Sequence, residues 1–200
     1  MALISSARYT PNADITDTTG TVLSHSQSKA FGYVVAALRL SLGWVFLWAF
    51  LDKLFGLGHE TESKAAWING GSPTKGFLSH ATTGPFADMY QNIAGSAWAD
   101  WLFMIGLAGI GVALIAGVAI RIAAASGALL LVLMWTAVLP PENNLFMDDH
   151  LIYALVLVGL ALIKAGHVLG LGAIWERLPL VQRYRILRCH RRSDALRPNR

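Results

Sequence analysis

WLFMIGLAGIGVALIAGVAI, residues 101–120, and IAAASGALLLVLMWTAVL, residues 122–139, decide the fold. Each run approaches or reaches the roughly 20 mostly apolar residues that a helix needs to cross a bilayer. Neither contains a charged side chain, and a single residue, Arg121, separates them. Two such runs in succession would be insoluble on a water-facing domain. In lipid they are stable as helices, because a helix satisfies its backbone polar groups internally.

Two further spans flank this pair. FGYVVAALRLSLGWVFLWAFLDKLFGL, residues 31–57, is apolar except for Arg39, Asp52 and Lys53. Arg39 can snorkel from one leaflet, and the other two lie near the far end. LIYALVLVGLALIKAGH, residues 151–167, ends with Lys164 positioned to snorkel. The fold class expected is therefore all-α, an integral membrane four-helix bundle with a long outer loop. Composition agrees: charged residues make up 14% of the chain against about 25% in soluble domains, and hydrophobic residues 54%. The organisation read from the sequence is a disordered tail over 1–29, a transmembrane domain over 30–175, and a basic tail over 176–200. Residues 1–28 lack a seven-residue apolar core and carry Asp14 and Asp17, so no cleaved signal peptide is expected.

Basic residues set the orientation. Eight arginines lie between Arg177 and Arg200, and Arg121 sits in the hairpin between spans two and three. The other two loops are acidic: Glu60, Glu62, Asp88 and Asp100 in the first, and Glu142, Asp148 and Asp149 in the last. The positive-inside rule then places both termini in the cytoplasm and the protein in a cell membrane as a multi-pass chain. The arginine tail is expected to meet anionic lipid headgroups rather than nucleic acid. Cys189, the one cysteine, lies in that tail, which excludes an intramolecular disulfide.

Small residues at four-residue spacing mark packing faces: Gly109, Ala113 and Gly117 on span two; Ala123 with Gly127 and Ala124 with Ala128 on span three; Ala161 with Ala165 on span four. Bundles of this kind also associate through such faces, so a homo-oligomer is compatible with the sequence. The segment from 58 to 100 is too long for a turn. Gly70, Gly71, Ser72 and Pro73 predict a turn within it. Phe86, Met89, Tyr90, Ile93 and Trp98 recur at roughly helical spacing and predict a short amphipathic helix lying at the outer surface or capping the bundle.

No motif for a covalently or tightly bound cofactor is present, and no metal site is expected. His150 and His167 are separated by about 25 Å along a helix, too far to share one haem iron. The candidate chemistry is a polar cluster on spans one and four: Arg39, Asp52, Lys53, Asp148, Asp149 and His150. Lys53 is expected to pair with Asp148 or Asp149, beside His150. As a functional site this cluster would take a quinol or small anion. An Asp and His150 would accept protons, Lys53 or Arg39 would hold a negative oxygen, and Trp48 or Trp135 would stack on a ring. As a structural one it would be a set of salt bridges and helix caps. Both readings stand on the sequence alone.

LRLSLGWVFLWAFLDKLFG in span one resembles the opening signature of the DoxX/DoxD family, in which an Arg enters the helix and a Lys-Leu pair closes it. AWINGGSPTKGFL, GPFADMY, ADWLFMIGLAGIGVALIAG and LPPENNLFMDDHLIYALVLVGLAL are similar to the actinobacterial branch of that family. The resemblance covers about residues 30–175. It implies a small bacterial four-helix membrane protein related to a subunit of a thiosulfate:quinone oxidoreductase. It further implies a quinone as the ligand, or a soluble oxidoreductase as the partner anchored by the chain. A non-catalytic scaffold is the alternative, and a small-solute transporter is disfavoured because no discontinuous helix or inverted repeat is visible.

Overall fold

A computed structural model describes residues 25–142 and 144–183. Within them the chain is helical and contains no strand. Eight helices follow in order: α1 His25–Phe55, α2 Lys75–His80, α3 Ala87–Ile93, α4 Ala97–Ala116, α5 Ile120–Ala137, α6 Asp149–Leu162, α7 Gly172–Trp175 and α8 Pro179–Arg183. Three of them, α1, α4 and α5, are long and apolar enough to cross a membrane, and α6 is a shorter apolar helix. The bundle is built by α1 packing on α4, α4 on α5 and α5 on α6, with a lighter contact closing α6 onto α1.

The ends of the helices depart from the expected spans for identifiable reasons. The first helix is already formed at His25, the first described residue and inside the stretch assigned to the N-terminal tail, and stops where Gly56 takes a positive φ of 65°. The second span lies over 97–116 rather than 101–120. Ser96 opens it in an extended conformation, and Gly117 ends it in the left-handed region. Gly117, Val118 and Ala119 are thus a turn, and Arg121 belongs to the first turn of α5. That helix ends at Ala137, ahead of Pro140, because the residue preceding a proline is pushed out of helical geometry. The fourth helix stops at Leu162 instead of continuing to residue 167. Lys164 adopts a left-handed φ of 56°, and a single 3-10 turn follows over Ala165–His167. At helical rise, 14 residues reach only about 21 Å, short of the roughly 30 Å hydrocarbon thickness.

The close packing of α1 on α4 uses different glycines from the expected row. A Cβ on Gly43 would sit 2.8–3.0 Å from Ile115 and Leu114, and one on Gly111 would sit 2.7 Å from the Leu47 backbone nitrogen. These two glycines let α1 and α4 meet backbone to backbone in an antiparallel pair. Gly109 is exposed with nothing near it. The row on α5 does pack: Ala123, Ala124 and Gly127 are buried, and Gly127 faces Leu157 of α6. Leu42, Phe46, Leu107, Ile110, Leu114, Leu131, Leu157 and Leu160 fill the centre of the bundle.

The long loop joins α1 to α4. It carries two short helices, α2 and α3, and 3-10 turns over Ser63–Ala65, Trp67–Asn69 and Gly84–Phe86. The expected amphipathic helix is α3, and the expected turn is made by Gly70 in the left-handed region. Below, "loop end" is the end of the bundle covered by this loop, and "hairpin end" the end with the Gly117 turn. The N-terminal tail up to residue 24, and residues 184–200 of the arginine tail with Cys189, lie outside the described residues.

Candidate functional site

Arg39 and the rest of the predicted cluster occupy opposite ends of the bundle. Lys53 is about 21 Å further along the same helix, so no single small ligand bridges the two groups. Arg39 is completely buried at the hairpin end. Its guanidinium donates to the carbonyls of Leu114, Ile115, Val168 and Leu169, with the Ile115 and Leu169 bonds at 2.8 and 3.0 Å. Leu114 and Ile115 lie in the last turn of α4, where the helix dipole is negative and the Ile115 carbonyl accepts no backbone N–H among the described residues. Arg39 therefore caps α4 from the side and ties it to the chain leaving α6. Glycines make this possible: a Cβ on Gly117 or Gly170 would come within 3.1–3.3 Å of the guanidinium nitrogens. Nε is the one buried side-chain polar atom without a partner among the described residues. His167 and Glu176, 3.1 Å apart, tie the following segment to α7.

At the loop end three acidic side chains hold backbone. Asp52 is buried and accepts from the N–H groups of His59 and Glu60, at 3.4 and 3.1 Å, which folds the start of the loop back onto α1. Trp48 packs edge-to-face with His59, with centroids 5.2 Å apart, and lies at a tilt against Trp44. Asp100, buried in the first turn of α4, accepts from the Ser72 hydroxyl, the Thr74 amide and the Thr74 hydroxyl at 2.9, 3.0 and 2.6 Å. Asp148 caps α6 through the Leu151 amide and bonds His150 Nδ1 at 2.7 Å. Trp135 donates its indole N–H to the Phe146 carbonyl at 2.7 Å, anchoring the loop before α6.

The expected ion pair between Lys53 and Asp148 or Asp149 does not form. Asp148 is turned toward its own helix, where an unpaired Leu151 amide and His150 lie closer than another helix can reach. Asp149 is exposed in the first turn of α6, and Lys53 is half-buried without a carboxylate partner among the described residues. Elsewhere in the loop the Lys64 ammonium, 2.7 Å from Glu62, holds the Glu62 carboxyl below the usual carboxylate range. Both groups are exposed, so this pair adds little stability. No group of three His, Cys, Asp or Glu side chains gathers as a metal site among the described residues.

The structure adds a feature that sequence reasoning missed. Between the loop-end halves of α4 and α5 lies a cavity of about 550 Å³, roofed by α2 and α3. Its walls are almost wholly apolar, from Trp98 to Ile110 on α4 and from Ser126 to Ala137 on α5. Tyr90 of the roof turns its hydroxyl away to the Leu133 carbonyl and Thr136 hydroxyl. A glycine in an uncharged span, Gly106, lines this space, but the sequence does not distinguish a glycine that admits a neighbour from one that leaves a gap.

Three helices of membrane-spanning length, a fourth apolar helix, and buried ionisable groups bonded within the protein define a multi-pass helical membrane protein. The sequence model of the DoxX family matches residues 34–140, more than half of the chain, and the protein belongs to that family. No curated protein and no solved structure matches the chain.

Proposed function

We propose that this DoxX-family chain is the membrane subunit of a quinone-linked oxidoreductase, and that its part is to anchor a soluble redox partner at the bilayer. The observation that carries this is the commitment of the buried ionisable groups. Arg39, Asp52 and Asp100 are each bound to backbone or hydroxyl groups of the chain itself, so their role is to hold the bundle and its loop in shape. The arginine-rich C-terminal segment and Arg121 favour a cytoplasmic hairpin end, with the loop end on the opposite side of a bacterial cell membrane. In that orientation the C-terminal arginines stand where a cytoplasmic partner and anionic headgroups both meet them.

The test uses membranes from cells with and without the full chain, assayed for reduction of a soluble quinone analogue. The reading expects membrane-bound quinone reduction to fall without the chain and to return when it is restored. Equal membrane-bound activity in both strains refutes it.

A second reading, quinone binding by the chain itself, is favoured by one observation. Lys53 and the Nε2 side of His150 have no partner among the described residues, leaving an ammonium and a proton-exchanging ring available at the loop end. In this reading Lys53 holds the quinol oxygen, and His150, with Nδ1 held by Asp148, takes its proton. Tryptophan quenching by added quinone separates the two readings.

A further inference from the structure

The cavity between α4 and α5 belongs to neither end cluster, and its chemistry is of one kind. Apart from the Trp98 indole N–H and three hydroxyl groups — Ser126, bonded to the Ile122 carbonyl of its own helix, Thr74, held by Asp100, and Tyr90, bonded to α5 — its walls are apolar side chains. Its volume of about 550 Å³ falls within the roughly 300–1,000 Å³ of clefts that bury a ligand. Ile110, Ala99 and Ala137 form a buried floor, while Leu102, Leu129 and Leu133 stand exposed along the lips. The opening therefore faces sideways, into the bilayer rather than into water. Along α4 it runs for about 18 Å, from Trp98 to Ile110.

We propose that this slot holds one acyl chain of a bilayer phospholipid. A second copy of the chain is a poor occupant. A spanning helix is about 10–12 Å across and must continue past the loop end, where α2 and α3 close the slot. A flexible hydrocarbon chain enters from the side and ends inside. Lys75 supplies the headgroup end: it opens α2 directly after the slot-lining Pro73 and Thr74, is exposed, and has no carboxylate partner among the described residues. An ammonium there attracts a lipid phosphate at the edge of the roof. The bound chain fills the gap left where α4 and α5 diverge, and so supports the roof that Asp100 pins from below. This site does not depend on the proposed redox partnership.

Gly106 provides the probe, because a side chain added there meets open space. The full-length protein is placed in vesicles of phosphatidylcholine and phosphatidylglycerol with a trace of phosphatidylglycerol carrying a photoactivatable group near its acyl terminus. Labelled peptides are then mapped after illumination. The expected result is labelling of the buried floor around Ile110 above that of Leu155 and Leu162, exposed controls on α6. That excess is lost in Gly106→Leu, reduced in Gly106→Ala, and reduced in Lys75→Glu, while the α6 labelling and the melting midpoint are retained. Labelling that simply follows exposure, or an excess unchanged in Gly106→Leu, overturns the site. An excess displaced by unlabelled polyprenyl quinone at constant phospholipid, or insensitive to Lys75→Glu, overturns the phospholipid assignment. An unlabelled floor together with cross-links between copies at Leu102 assigns the slot to a second chain instead.

Discussion

Replacing Arg39 with methionine keeps most of the side-chain volume and removes every donor. In the folded chain the guanidinium serves four carbonyls, and those of Ile115, Val168 and Leu169 accept no backbone N–H among the described residues. Each of these three part-buried carbonyls loses a charge-assisted donor, at about 1.5–3 kcal/mol apiece. Against that, the variant no longer buries a cation, which returns several kcal/mol. The difference is a net destabilisation of about 3 kcal/mol, with the three carbonyl losses outweighing the relief. For a domain of this size it corresponds to a melting midpoint lower by about 6–12 °C. Arg39→Lys retains the charge but has neither the reach nor the planar fork that spans two chain segments, so its midpoint falls between wild type and Arg39→Met. The assay is thermal unfolding of purified protein in mild detergent, followed by circular dichroism. Proteolysis of the segment after α6 provides a second readout, because that segment is released from α4 when the bonds to Val168 and Leu169 are lost. An Arg39→Met protein that melts within about 2 °C of wild type and protects residues 163–175 equally would refute the capping argument.

Other substitutions test the remaining joints. Asp100→Ala removes the shared acceptor for Ser72 and Thr74, and hydrogen exchange should speed up over residues 70–80 while the α1–α4 core stays protected. Gly111→Leu places a side chain against the Leu47 backbone and should prevent α1 from docking, seen as loss of monodisperse protein on gel filtration; Gly109→Leu, in open space, should behave as wild type. Asp148→Ala removes the α6 cap and should cost about 1 kcal/mol, whereas Asp149→Ala leaves the cap intact and should change the melting midpoint far less.

Much of the bundle was readable because lipid imposes a simple rule on length and charge. The runs around Arg121 could be nothing but spans, and α4 and α5 lie there with their ends shifted by a few residues. The shifts trace to Gly117 and Ala119 in left-handed backbone, a property that hydropathy does not report. The helix after Asp148 was overextended for a similar reason, since Lys164 turns the chain although its neighbours are apolar. On α4, Gly109, Ala113 and Gly117 form the small-residue row that the sequence offers, whereas α1 docks along Gly111 and Ile115, a pair with one large member. Only the arrival of Gly43 and Leu47 from α1 selects that pair. The polar cluster was legible as a list of residues and not as an arrangement. Sequence placed Asp52, Asp148 and Asp149 near the loop end, where they are. It did not foresee that Asp52 and Asp148 would each find backbone N–H groups within a few residues, which satisfies a carboxylate more cheaply than crossing to another helix.

The most direct measurement is a titration of the isolated full-length chain with ubiquinone and menaquinone in detergent, read by tryptophan fluorescence in wild type, Lys53→Ala and His150→Ala. If the chain is an anchor whose buried polar groups serve its own fold, no saturable quenching dependent on Lys53 and His150 appears. Saturable quenching in wild type that weakens in both variants would contradict the anchoring account and place a quinone at the loop end.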